Sequence, residues 1–344
     1  MKDLLIIGGG FAGLCCAWEA QRNQLSYTLI DNQYAAASTR IAAGIVNPIT
    51  GRKYQLQENF DVLHAHAIGF YTALEHATST RCMHPLPIFK MHKSEAALEA
   101  WQIACATHGI PELLSVQFKP APWMKHLDVR FGALMVENAF RIDTLALREA
   151  INQFGHSVQA QFTYDDLHLH ADHVLWQQQA YAHVLFCEGY QVSENPWFRH
   201  IHIRPSKGEC ALVRIPHLQS PCILQKQLFI VPYGDDLYWV GGTNDHSAEE
   251  DSPSAEKLME IEAALRDTMR LPFEIVAHYA AIRPTMRDRR PAVGTHPMHK
   301  QLHVLNGLGT KGALLGPYHA HMLIESIFHG GRIDKRVDVS RFPL

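Results

Sequence analysis

The 344-residue chain has no apolar run approaching the ~20 residues of a membrane-spanning helix, which excludes a helical membrane protein. Its seven cysteines are odd in number and contain no C-x-x-C pair. That argues against a disulfide framework and points to a reducing compartment, with the cytoplasm as the expected location. Charge of neither sign dominates. A net charge of −3 gives no global attraction to nucleic acid and leaves only a local basic patch for such a partner. Internal repeats and low-complexity tracts are absent too, so the chain is neither a solenoid nor a linker. What remains is a globular composition, 47% hydrophobic and 19% charged, long enough for two domains.

Histidine is plentiful, at 23. His64-x-His66, His168-x-His170, His200-x-His202 and His319-x-His321 are pairs without a third and fourth ligand at metal spacing, so no metal is expected. Surface composition explains them.

The chain is organised around its first thirty-one residues. The apolar run Leu4-Leu5-Ile6-Ile7 leads into Gly8-Gly9-Gly10-Phe11-Ala12-Gly13, then a helix-compatible stretch, then Tyr27-Thr28-Leu29-Ile30 and Asp31. Strand, glycine turn, helix, strand and acid in this register form a dinucleotide-binding βαβ unit. Gly8 permits the tight turn, Gly10 lets the backbone approach a pyrophosphate, and Gly13 lets the helix pack on the sheet. Asp31 suits the hydroxyls of an adenosine ribose and disfavours a 2′-phosphate. Asp3 and the three glycines argue against a secretory signal at this start.

Further along, Ser38, Thr39, Arg40, Ala43 and Gly44 belong to a small-residue segment with hydroxyls for phosphate contacts and room for a broad planar group. A basic turn, Ile49 to Tyr54, faces either the site or solvent. Helices are expected over Phe60–Thr78, Ser94–His108, from Asp143 to about residue 154, Pro253–Met269 and Gly312–Phe328. His156–Phe162 reads as a strand, and Ala182–Tyr190 as a strand ending in a glycine turn at Gly189. Residues 204–245 read as antiparallel strands, with Gly234-Asp235-Asp236 as a hairpin turn. Ile275–Tyr279 and Ala281–Pro284 read as separate pieces.

Three separated blocks carry a family resemblance: Ile6–Asp31 with Ser38–Gly44; Pro205-Ser206-Lys207-Gly208-Glu209; and Ile282–Gly294 with Gly307–Pro317. Together they resemble the FAD-dependent amine and amino-acid oxidoreductases that include glycine oxidase, D-amino-acid oxidase and sarcosine oxidase. The Gly307 block is similar to the oxidoreductase half of the bifunctional enzyme that oxidises a carboxymethylaminomethyl group on the tRNA wobble uridine. The resemblance implies an α/β fold: a Rossmann-like FAD-binding domain (1–84, 139–203 and 278–344) with an interleaved antiparallel-sheet substrate or cap domain (85–138 and 204–277). It implies noncovalent FAD, since no cysteine precedes Ile282 where sarcosine oxidase attaches its flavin.

The same resemblance implies the site. Gly8, Gly10, Phe11, Ala12, Gly13, Asp31 and Asn32 would hold the adenosine diphosphate half, with Ser38, Thr39, Arg40, Ala43, Gly44, Val158 and Gly189. Gly307, Leu308, Gly309, Thr310, Lys311 and Gly312 would face the flavin, where a helix N-terminus and Lys311 favour the reduced form's negative charge. Arg283 matches the position that pairs with a substrate carboxylate, the alternative being an ion pair with an acid such as Asp288. Arg283 and Lys311 are the expected catalytic residues. The activity implied is oxidation of the C–N bond of a small carboxylated amine or amino acid, by hydride transfer to flavin N5 and hydrolysis of the imine. Oxygen or a quinone would reoxidise the flavin. Glycine oxidase has an arginine in the loop corresponding to Leu308–Lys311, absent here, which makes glycine a doubtful substrate. Oxidation of a carboxymethylamino nucleoside in tRNA and a non-catalytic flavin-binding subunit stay open as alternatives.

Overall fold

In the computed structural model, which describes residues 1–32, 37–51, 54–108, 114–115, 121–246 and 250–343, Lys2–Ile7 lies in the parallel part of a mixed sheet. It lies between Tyr27–Asp31 and Gln179–Phe186, and the latter pairs in turn with Leu302–Asn306. The first strand shows no polar–apolar alternation because both of its faces are covered. Leu4 and Ile6 enter a core under the helices, whereas Leu5 and Ile7 enter a second one with Trp176, Phe186 and Phe198.

Among the described residues six helices accompany the sheets: α1 (Phe11–Arg22), α2 (Phe60–Thr78), α3 (Glu95–His108), α4 (Thr144–Asn152), α5 (Ala255–Thr268) and α6 (Gly312–Phe328). Their starts follow local chemistry. Asp143 accepts hydrogen bonds from the N–H groups of Leu145 and Ala146 to cap α4, and Ser94 and Ser254 do the same at α3 and α5. Inside α6, Pro317 cannot donate to the Ala313 carbonyl four residues earlier. The Tyr71 hydroxyl of α2 donates to that oxygen at 2.9 Å instead. The helix therefore runs through its proline.

The second sheet has the order Glu274–Met286, Ile203–Arg214, Leu237–Gly241, Phe229–Gly234, Ile223–Gln225, Ile88–Met91, Ala133–Val136, Leu114–Ser115. The hairpin at Gly234 forms as expected, with Asp235 and Asp236 both at positive φ. Three expectations need correction. The sheet is not wholly antiparallel, since Ile223–Gln225 runs parallel to Ile88–Met91. The pieces expected on either side of Ala280 are one strand, Glu274–Met286, because Pro284 stands opposite Pro205, where neither partner needs an N–H. The strand expected over His156–Phe162 ends at Gln159. Arg52 and Lys53 of the basic turn lie outside the described residues.

All seven cysteines are free. Among the described residues no helix is long and apolar enough to cross a membrane, and no group of three or more His, Cys, Asp or Glu side chains gathers as a metal site.

Tyr71→Phe should leave the Ala313 carbonyl buried without a donor and cost about 1–3 kcal/mol. The urea midpoint should fall at unchanged m; an unmoved midpoint would show that the carbonyl finds another donor.

Candidate active site

The turn after the first strand is held by contacts that no side chain could survive. Gly8 has φ +104°, and a methyl there would lie 2.4 Å from the Cys187 carbonyl oxygen. A methyl on Gly13 would lie 1.8 Å from the Gly8 carbonyl oxygen, so α1 rests directly on the turn. Gly9, to which the sequence motif gave no role, leaves space for Asp31: a methyl would fall 2.7 Å from its carboxyl carbon. Asp31 accepts from Arg148 at 2.8 Å, a partner that sequence spacing does not reveal. That guanidinium offsets part of the charge on which exclusion of a 2′-phosphate was argued. At the N-terminus of α1 the Thr39 hydroxyl oxygen accepts from the Phe11 N–H at 3.0 Å, which leaves its own proton available to a ligand.

The last helix meets the first at this point. Gly312 opens α6 against the Phe11 ring, where a methyl would lie 2.7 Å from a ring carbon. Gly307 and Gly309 have φ +75° and +55°, and the Gly309 N–H donates to the Pro284 carbonyl at 3.1 Å. Two helix N-termini thus converge on one cavity of about 860 Å³. Asp31, Asn32, Ser38, Thr39, Gly44 and Gly189 line it, as do Gly8, Gly10, Phe11, Ala12 and Ala43. So do Gly307, Leu308, Gly309, Thr310, Lys311 and Gly312. A glycine cradle at a helix N-terminus, a carboxylate one strand away and a second helix N-terminus beyond a small-residue segment fit FAD. Gly13 lies one turn behind the wall, and the exposed Arg40 is not part of the wall. Val158 sits beside Ile30 on the sheet edge, 39% exposed, and the wall is formed two residues later by Ala160, Gln161 and Phe162.

Arg283 enters the same cavity from the second sheet. Its Nη1 donates to the Thr243 carbonyl at 2.9 Å and to Asn244 Oδ1 at 2.7 Å. Reciprocal Lys207–Asp245 backbone hydrogen bonds clamp the loop that presents these acceptors. Asp288 pairs with Arg341 instead, and among the described residues no carboxylate lies within 4 Å of Arg283. Burial pulls its pKa down, so the charge is enclosed without a counter-ion. Two glycines make the enclosure: a methyl on Gly208 would lie 1.9 Å from Nη2, and one on Gly242 2.6 Å from the same atom. Lys311 precedes α6 and donates to Gln57 Oε1. Burial, then the nearby Arg289, pull its pKa down.

Glu188 went unnoticed in the sequence because nothing near it in the chain marks it. It lines the cavity beside Gly8 and accepts from the Tyr164 hydroxyl at 2.7 Å and from Asn195 Nδ2 at 2.8 Å. Burial raises its carboxyl to about 7. The Trp239 indole N–H donates to the Ile41 carbonyl at 2.8 Å and ties the second sheet to the small-residue segment.

The family model described as FAD dependent oxidoreductase matches residues 3–326. The glycine oxidase of Geobacillus kaustophilus (strain HTA426) is 31% identical over 124 residues, covering 34% of this chain and 32% of that protein. The alignment therefore spans about a third of that relative. The crystal structure of glycine oxidase from Geobacillus kaustophilus superposes with a TM-score of 0.80 at 18% identity, covering 100% of this chain and 98% of that one. That of iminodiacetate oxidase from Chelativorans sp. BNC1 does so at 0.79 and 18%, covering 98% of each. These structures share the fold.

Gly208→Ala should push the Arg283 guanidinium off its acceptors while the distant glycine turn keeps its FAD. Flavin absorbance of the purified variant and a difference Fourier map at Arg283 check this; an unmoved guanidinium would refute it. Glu188 has a folded-state pKa raised above its unfolded value, so its contribution is most favourable at low pH and is lost as pH rises through about 7. The melting temperature of Glu188→Gln relative to wild type should therefore rise from pH 5 to pH 8, and a constant difference would contradict the raised pKa.

Proposed function

The chain belongs to the FAD dependent oxidoreductase family, and from that premise we propose that it oxidises the C–N bond of a small, carboxylate-bearing amine or amino acid. In this reading residues 1–84, 139–203 and 278–344 carry the cofactor. Residues 85–138 and 204–277 form the cap, and the strand Glu274–Met286 bridges the two. Bound along the glycine-lined wall, FAD supplies a two-electron acceptor for the C–H bond next to the amine nitrogen. The protein's own contribution is binding and orientation.

The observation that carries this reading is the enclosed, acid-free guanidinium of Arg283 facing the cavity. A planar donor held by Thr243 and Asn244 offers its remaining N–H groups to a carboxylate. Enclosure matters because the same pair in water would be worth little. Lys311 and the N-terminus of α6 put positive potential at the other wall. A neutral amine needs no general base.

A second reading, oxidation of a carboxymethylaminomethyl group on tRNA, is favoured by one feature. Arg204, Arg287 and Arg289 are exposed at the wall of the same cavity, without an ion pair among the described residues. Bleaching of the flavin by tRNA, falling steeply with salt, would select it.

Anaerobic mixing of the FAD-loaded protein with amino acids and N-substituted glycines should bleach the flavin absorbance. Arg283→Ala should raise the half-saturating concentration by roughly ten- to a hundred-fold with FAD retained, the loss expected for a charged hydrogen bond. Unchanged concentration dependence would remove Arg283 from the site, and failure of every amine to bleach would sink the amine-oxidation reading.

A further inference from the structure

The second sheet lays one row of side chains across the cavity. Cys210 stands opposite Gly241, Gly241 opposite Phe229, Phe229 opposite Gln225 and Gln225 opposite Lys90. Directly opposed residues share a face of a sheet. Cys210, Phe229 and Gln225 all line the cavity. At the end of the row the Lys90 Nζ donates to Gln225 Oε1 at 2.9 Å and lies 5.1 Å from the centre of the Tyr54 ring. Among the described residues no carboxylate lies within 4 Å of it, although the ammonium is almost wholly enclosed.

An enclosed ammonium normally has an acid. Among the described residues its charge meets an amide and a ring. An ammonium has three donors and no acceptor, which settles which way the amide turns. Gln225 must give Oε1 to Lys90, and its Nε2 hydrogens have no partner among the described residues. The wall therefore offers N–H donors backed by a positive charge.

Resting on the amine-oxidation reading, we propose that Gln225 and Lys90 form a second anion-binding subsite in the cavity, and that the substrate carries a second carboxylate at the end away from Arg283. The Gln225 strand lies four strand spacings from the Arg283 strand, roughly 19 Å between backbones. Side chains reach inward from both ends, so the two carboxylates belong to an extended molecule. An amino acid with one carboxylate fills only the Arg283 end. Burial alone lowers the Lys90 ammonium to about 8, and an anion on Gln225 would raise it again. The other groups facing it are the Tyr54 hydroxyl and His92, which hydrogen-bond to each other, and neither supplies negative charge at neutral pH.

The test uses the FAD-loaded full chain and two series of probes. N-(ω-carboxyalkyl)glycines of increasing length are compared with N-alkylglycines of equal length for half-maximal anaerobic bleaching. At one length the dicarboxylate should act at about tenfold lower concentration or less. Lys90→Met should abolish that ratio and Gln225→Glu, which would pair with Lys90, should invert it. A ratio near one at every length, or one unmoved in both variants, would overturn the subsite. The second series needs no turnover: simple α,ω-dicarboxylates should raise the melting temperature of the loaded protein with an optimum in chain length that Lys90→Met removes. If that optimum appears but no amine bleaches the flavin, the oxidation reading falls and the subsite stands. If it does not appear, the subsite falls, whatever the amines do.

Discussion

Two close approaches made by glycine hold the site together. Gly13 lays α1 on the Gly8 carbonyl, and Gly312 lays α6 on the Phe11 ring at the start of α1. The first contact aims the free N–H groups of α1 into the cavity, and the second sets another helix N-terminus beside it. Either displacement would open the helices away from the sheet and separate the two positive ends that an anionic cofactor needs. Stability and binding here rest on the same backbone packing.

The other half of the site is built by enclosing charge. Arg283 fits because residue 208, on one strand, and residue 242, just past the end of another, both lack a side chain. Lys90 is held by an amide and a ring instead of an acid. Placing a cation in a low-dielectric wall costs stability unless something of opposite sign arrives, so such groups select anions. Glu188 is the opposite case. A carboxyl near the phosphate-binding turn is held by Tyr164 and Asn195, and burial raises its pKa toward the form that does not repel a diphosphate.

Much of the first sheet was legible because its signals are local. Apolar run, glycine turn, helix and acid occupy consecutive residues, and α2 and α6 have the boundaries that their periodicity and glycine start indicate. Arg283 and the Gly307 loop were found through a longer resemblance. What escaped depends on residues far apart in the chain. Arg148 meets Asp31 from 117 residues away, and Lys90 meets Gln225 from 135. Nothing in the sequence around position 90 marks a buried ammonium. Ile275–Tyr279 and Ala281–Pro284 read as separate pieces, and only the continuous pairing with Ile203–Arg214 joins them in one strand.

Because α6 closes on the first helix, the cofactor wall spans nearly the full length of the polypeptide. A ribosome producing roughly 5–20 residues per second would release α1 some 15–60 s before α6 exists to cover it. Phe11 and Cys15, the residues that Gly312 and Gly316 pack against, wait uncovered through that interval. Loading of the cofactor against both helix N-termini must therefore wait until α6 has been made.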